Sequence, residues 1–191
     1  MNIKEFAEKL FAKAKEAGFT EYEIYYVDGD SFKVTIYQSE IDQYSVNTHK
    51  GLSFRGLYSG KMGYSYTEVL DDYALDMLIR KAKENALAIE DDDVDIIYGG
   101  SHEYADIKGF NEELSQMKTD DKIKMAFQLE KDVLAESDKV KNIEECMVVT
   151  GTGETRIINS KGLDLHYKSN LIYAVVAPVV EENGKVNTAF S

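Results

Sequence analysis

Apolar residues at the start of the chain recur at helical spacing: Ile3, Phe6, Ala7, Leu10, Phe11 and Ala14 share one face. Asn2 precedes them as a cap, and Gly18 stands where a left-handed terminating residue is wanted. This predicts an amphipathic first helix. The period then drops to two. Residues 22–27 and 32–39 read as strands, since Phe32, Val34 and Ile36 alternate with polar residues, and Asp28-Gly29-Asp30 between them reads as a hairpin turn. Strands near 42–48, 51–58 and 62–67 continue the meander. Residues 67–72 offer capping side chains for a second helix, whose buried stripe is Ala74, Met77, Leu78, Ala82, Ala86 and Ile89.

Periodicity lapses across the acidic, glycine-bearing residues 90–109, with one short strand expected at 94–98. Helical spacing returns over about 120–137 behind Thr119, with Ile123, Ala126, Phe127, Glu130, Val133 and Leu134 on one face. Strands near 143–150, 155–160, 163–168, 171–180 and 185–190 follow. Helix-then-meander therefore occurs twice, and the letters agree. Ile36-Tyr37-Gln38-Ser39 matches Ile157-Ile158-Asn159-Ser160, and Ser59-Gly60-Lys61 matches Asn183-Gly184-Lys185, at an offset of about 120 residues. The expected fold class is α+β, an internally duplicated helix plus antiparallel β-meander. Its expected divisions are a first helix-meander-helix unit at 1–90, an acidic linker at 91–110 and a second helix-meander unit at 111–191. Spacing does not decide whether the two meanders form one sheet or two. A helix follows the first meander, whereas the second stops at Phe190-Ser191, so the pattern is that of an N-terminal fragment continuing into a C-terminal domain.

Charge narrows the partners. Twenty-two basic against 35 acidic residues give a formal charge of −13, which argues against direct nucleic-acid binding, because that needs a supply of cations to replace condensed counterions. Cys146 is the sole cysteine and is followed by Met147-Val148-Val149, so it reads as a buried thiol in a reducing compartment. Lysines and glutamates interrupt the N-terminal segment, and no membrane-length apolar run occurs; the expected location is the cytoplasm, with no membrane contact.

Three constellations are candidates for chemistry, and none meets what its motif requires. Asp91, Asp93 and Asp95 open like a calcium loop, but Ile96 and His102 stand where glycine and a bidentate glutamate are needed. Gly151-Thr152-Gly153 resembles a phosphate loop, yet a strand follows it where a helix is required, so it reads as a turn. Ser160, Asp164 and His166 bring together the residue types of a hydrolase triad. Residues two apart on a strand are about 6.6 Å apart, too far for Asp164 to orient His166, so an exposed polar face is the simpler account. His49 and His102 lie in turn-like segments, and no HExxH, paired cysteine or His-plus-carboxylate cluster occurs. No catalytic residue and no metal site is expected.

The hairpin at 51–67, the stretch KVKNIEECMVVTGTGETRIINSKG at 139–162 and the VEENGK turn at 180–185 together resemble the N-terminal part of the TldD/PmbA family, on its PmbA (TldE-like) side. That family comprises cytoplasmic proteins more than twice this length, also called modulators of DNA gyrase, whose TldD and PmbA subunits pair into a peptide-processing metalloprotease. The resemblance implies a role in degrading or maturing peptides. The family's zinc motif is an HExxxH helix of the TldD-type subunit, and nothing here matches it, so no cofactor is expected in this chain and zinc belongs to a TldD-type partner. The implied partners are a TldD-like subunit or a second copy, and an unfolded or extended peptide. Two function classes stand: a non-catalytic region of a metallopeptidase complex, or a protein-binding or scaffolding module without a proteolytic role. Arg55, Tyr64 and Tyr66 are the candidate peptide or partner contacts, since tyrosine and arginine supply area and hydrogen bonds at interfaces; the alternative is solvent-facing decoration of a meander.

Overall fold

Asn2 Oδ1 accepts the Glu5 N–H at 3.0 Å, and from that cap the first helix, α1, runs over Ile3–Glu16 until Gly18 takes φ +92°. The computed structural model describes residues 1–90, 95–101 and 103–191. After α1 come β1 (Glu21–Tyr37), β2 (Glu40–Tyr58), β3 (Lys61–Thr67) and α2 (Asp72–Leu87), the last capped by Asp71 through the Ala74 N–H at 2.7 Å. A single-turn helix, α3 (Glu112–Ser115), precedes α4 (Thr119–Ala135), β4 (Val140–Asn159), β5 (Asp164–Glu182) and β6 (Lys185–Thr188). The strands form one sheet in the order β3-β2-β1-β4-β5-β6.

That order contains the duplication. Each half is a helix followed by three strands laid out in sequence order, and one continuous sheet holds both. The outer turns are conformational twins: Ser59 and Gly60 have φ of 52° and 80°, Asn183 and Gly184 have 52° and 76°, the left-handed pair of a two-residue hairpin turn. The architecture is the expected α+β.

Strand boundaries differ from expectation in four places. No hairpin forms at Asp28-Gly29-Asp30; β1 runs straight through it, and the turn comes at Gln38-Ser39, with φ of 51° and 62°. Gly29 is not in the left-handed region that a tight turn would need. Gly151-Thr152-Gly153 is likewise not a turn but part of β4, where the Thr152 hydroxyl donates to the Asp30 carboxylate. The expected breaks in β2 near 49–50 and in β5 near 169–170 are also absent. Lateral pairing overrides glycine's local freedom at these points. The short strand expected at 94–98 begins at a residue outside the described ones, and 95–98 form no strand.

Two compact units emerge, and they interleave the halves. The first comprises Met1–Asp28, His49–Ile107 and Glu154–Lys168; the second comprises Gly29–Thr48, Lys108–Gly153 and Ser169–Ser191. In the first, α1 and α2 bury Phe6, Leu10, Leu75 and Leu78 against Ile24, Leu52 and Phe54. Gly63 lets α2 lie flush on β3, because a Cβ there would run into the Ala82 carbonyl. In the second, Ala126 of α4 packs with Phe32, Val34, Ile36 and Val148, and a smaller cluster gathers Ile143, Cys146 and Val176.

Candidate functional site

β2 and β3 pair in the register Leu52↔Thr67 to Tyr58↔Lys61, which sets Arg55 opposite Tyr64 and Ser53 opposite Tyr66. Tyr58 and Lys61 flank a two-residue turn and so form a hydrogen-bonded pair. By alternation Arg55–Tyr64 and Ser53–Tyr66 are non-hydrogen-bonded pairs, whose side chains approach most closely. The Tyr64 carbonyl accordingly points away from β2, and Asn85 Nδ2 of α2 donates to it at 2.6 Å. Tyr64 and Tyr66 are 50% and 71% exposed. With Ser53, Met77, Lys81 and Asn85 they line a groove of about 400 Å³.

Arg55 is anchored to the neighbouring strand. Its Nε and Nη2 reach Glu23 Oε1 at 2.9 and 2.7 Å, and Glu23 is buried. Burial works against the guanidinium's charge, but Glu23 and then Tyr64 more than offset it, so the arginine is held more firmly charged than usual. The other Glu23 oxygen accepts from Asn159 Nδ2 at 3.1 Å, and that amide also donates to the Tyr98 carbonyl at 2.8 Å. Asn159 Oδ1 in turn takes the Lys161 and Leu163 N–H groups at 3.0 and 3.2 Å, closing the β4–β5 turn. Glu21 accepts the Ile97 N–H at 3.3 Å and meets Lys161 Nζ at 3.0 Å. The coil at 97–98 is thus fastened across this face through its backbone, with the Ile97 side chain buried.

All three residues singled out from the sequence lie on neighbouring positions of one β-hairpin. Reasoning on residue types missed Glu23, Asn159 and Asn85, whose partners lie 32, 136 and 21 residues away. Tyr25, two residues beyond Glu23 on β1 and exposed, also belongs to this face by strand parity.

The rejected constellations are dispersed by their partners. Ser160 Oγ accepts the Tyr22 N–H at 3.0 Å, Asp164 holds Arg156 through two bonds of 2.8 and 2.6 Å, and His166 Nε2 lies 3.1 Å from Glu154. Asp91, Asp93 and His102 fall outside the described residues. Cys146 is fully buried, its Sγ 3.5 Å from the Ala126 carbonyl, and burial together with the Glu130 charge pushes the thiol up to about 11. Among the described residues no three of His, Cys, Asp and Glu gather closely enough to share a metal ion, and no helix is long and apolar enough to cross a membrane.

Residues 22–86 match the model of PmbA/TldA metallopeptidase domain 1, and residues 112–191 match that of the PmbA/TldA metallopeptidase central domain. Among solved structures, a putative modulator of a DNA gyrase from Thermotoga maritima superposes with a TM-score of 0.87 at 20% identity, over 99% of this chain and 42% of its own. TldE from Thermococcus kodakarensis gives 0.83 at 20% identity, over 97% of this chain and 42% of its own. A putative modulator of DNA gyrase from Bacteroides thetaiotaomicron gives 0.83 at 16%, over 98% and 43%. The chain therefore spans about two fifths of the length of these structures. No curated protein matches the sequence.

Proposed function

The chain belongs to the PmbA/TldD metallopeptidase family, and on that premise we propose that it is the non-catalytic, peptide-engaging region of a TldE-like subunit in a cytoplasmic complex that degrades or matures peptides. The observation that carries this reading is the tyrosine face: Tyr64 and Tyr66 stand exposed beside a groove, on strands braced by the Glu23–Arg55 pair. Tyrosine offers a large contact area at low entropic cost, with a hydroxyl to meet peptide polar groups. The buried pair beneath keeps those strands in place, so the rings are presented on a rigid base.

Zinc is the group this family implies. The donor set here does not fit it, since the described residues bring no three ligands together and the buried Cys146 thiol is held protonated. Hydrolysis is therefore assigned to a TldD-type partner, and this chain's residues bind and orient. The name of gyrase modulator belongs to the structural relatives; with a charge of −13, an influence on gyrase fits proteolysis of a protein that acts on it better than contact with DNA.

The test is reconstitution. This chain alone, and mixed with a TldD-type subunit, is incubated with unstructured casein. Cleavage is expected only in the mixture, and only without chelator. Chelator-sensitive cleavage by this chain alone would overturn the assignment.

A further inference from the structure

β3 covers β2 only from Leu52 to Tyr58, which leaves the first half of β2 as a sheet edge. Along residues 40–48 no described residue pairs with its outer side, and every side chain except Ser45 is exposed. The second meander has the equivalent edge and closes it. Asn170 stands six residues into β5, and there the coil before α3 is tied on by three bonds: Asn170 N–H to the Gly109 carbonyl at 3.1 Å, Asn111 N–H to Asn170 Oδ1 at 2.8 Å, and Asn170 Nδ2 to the Asn111 carbonyl at 2.7 Å. Six residues into β2 the chain has Val46, with no amide to hold such a strap. One edge is guarded and its duplicate is bare.

A bare edge of this length is a template for another strand, and its sequence selects which. Laid antiparallel on a second copy of itself about Ser45, the strand sets Tyr44 against Val46 and Gln43 against Asn47. The same register sets Asp42 against Thr48 and Glu40 against Lys50. The aromatic–aliphatic and opposite-charge pairs each occur twice under the two-fold, and no acid faces an acid. Within the chain Lys50 meets the half-exposed Asp28 at 3.4 Å and lies over the Tyr26 ring, 5.6 Å from its centroid. Tyr44 already packs edge-on against Phe32, with ring centroids 5.5 Å apart, so it is oriented before any partner arrives. Moving the centre to Tyr44 would set Asp42 against Val46 and lose both favourable pairings.

We propose that residues 40–48 are a homotypic docking edge, by which two copies of this chain pair β2 to β2, antiparallel about Ser45. An edge contact of this length falls short of the roughly 1,600 Å² of a standard interface, so it belongs with the weak, concentration-dependent contacts. The proposal rests on the edge alone and not on the peptide-contact reading; Tyr66→Ala is expected to leave the dimer intact.

The register makes it testable. In Ser45→Cys the two new thiols face each other at cross-strand distance, within disulfide reach, whereas in Asp42→Cys they are about 20 Å apart. Cys146 is buried and stays out of the reaction. Under mild oxidation the Ser45→Cys chain is expected to form an interchain disulfide at least tenfold faster than Asp42→Cys, and sedimentation of the unmodified chain is expected to show a monomer–dimer equilibrium that Val46→Lys abolishes. Equal cross-linking of the two variants, or a chain that stays monomeric at every concentration, would overturn it. The cross-linking comparison decides even if Val46→Lys fails to fold.

Discussion

The Glu130 carboxylate of α4 accepts the backbone N–H of Ser39 at 2.9 Å, and through that bond a helix residue holds a hairpin turn 91 positions away. Glu130 is 3% exposed, so the bond is made out of water. Gln38 and Ser39 both adopt left-handed backbone, which neither residue favours. Glu130→Ala is expected to cost about 1.5–3 kcal/mol, because it removes a hydrogen bond made by a buried charged acceptor, and Glu130→Gln, which keeps an acceptor, about 1 kcal/mol. Urea unfolding followed by circular dichroism measures both. Equal losses would show that the bond does not hold the turn.

A second expectation concerns the same turn from the sequence side. Replacing Gln38-Ser39 by Asn-Gly supplies residues suited to positive φ and should stabilise the chain by about 0.5–1 kcal/mol. The thermal midpoint reports it, and a fall would mean that the Gln38 and Ser39 side chains do more than occupy the turn.

This turn shows why the sequence was readable in part. The helices were legible: α1, α2 and α4 lie where apolar spacing puts them, and the caps at Asn2 and Asp71 are local signals. Ser59-Gly60 and Asn183-Gly184 were legible as matched turns for the same reason. The glycines at 29, 151 and 153 misled, because a glycine that permits a turn does not require one, and pairing to neighbouring strands kept them extended. Gln38-Ser39 carried no turn signature; its cause is Glu130, in another element. In the site, exposed tyrosines on an alternating strand were visible. The commitment of Arg55 to Glu23, and of Glu23 to Asn159, arises only when β2, β1 and β4 come side by side.

Gly63→Ala is expected to destabilise by about 3 kcal/mol, since the added methyl meets the Ala82 backbone and α2 has to move as a whole. Calorimetry would check it. A loss no larger than a surface substitution would mean that α2 is not seated on β3 as described.

The Arg156–Asp164 pair gives a pH signature. The hydrogen bond from Arg156 is the main reason that the Asp164 carboxyl titrates below the usual carboxylate range. A carboxylate with a depressed folded value stabilises above its unfolded pKa, and loses that contribution as pH falls through the folded one. Asp164 is half exposed, which limits the gain to about 1 kcal/mol. Asp164→Asn should therefore be less stable than the parent at pH 7, and the difference should vanish as pH falls through the depressed folded value of Asp164. A difference that persists undiminished in acid would remove the ion pair as its cause.

The most direct measurement of the central claim is peptide binding at the tyrosine face. A fluorescein-labelled unstructured casein peptide is titrated with the chain and with the Tyr64→Ala/Tyr66→Ala variant, and anisotropy is recorded. The account expects saturable binding that the double substitution weakens at least tenfold, a loss of about 1.4 kcal/mol, with the unfolding midpoint unchanged. Equal affinity for both proteins, or no binding by the parent chain, would contradict it.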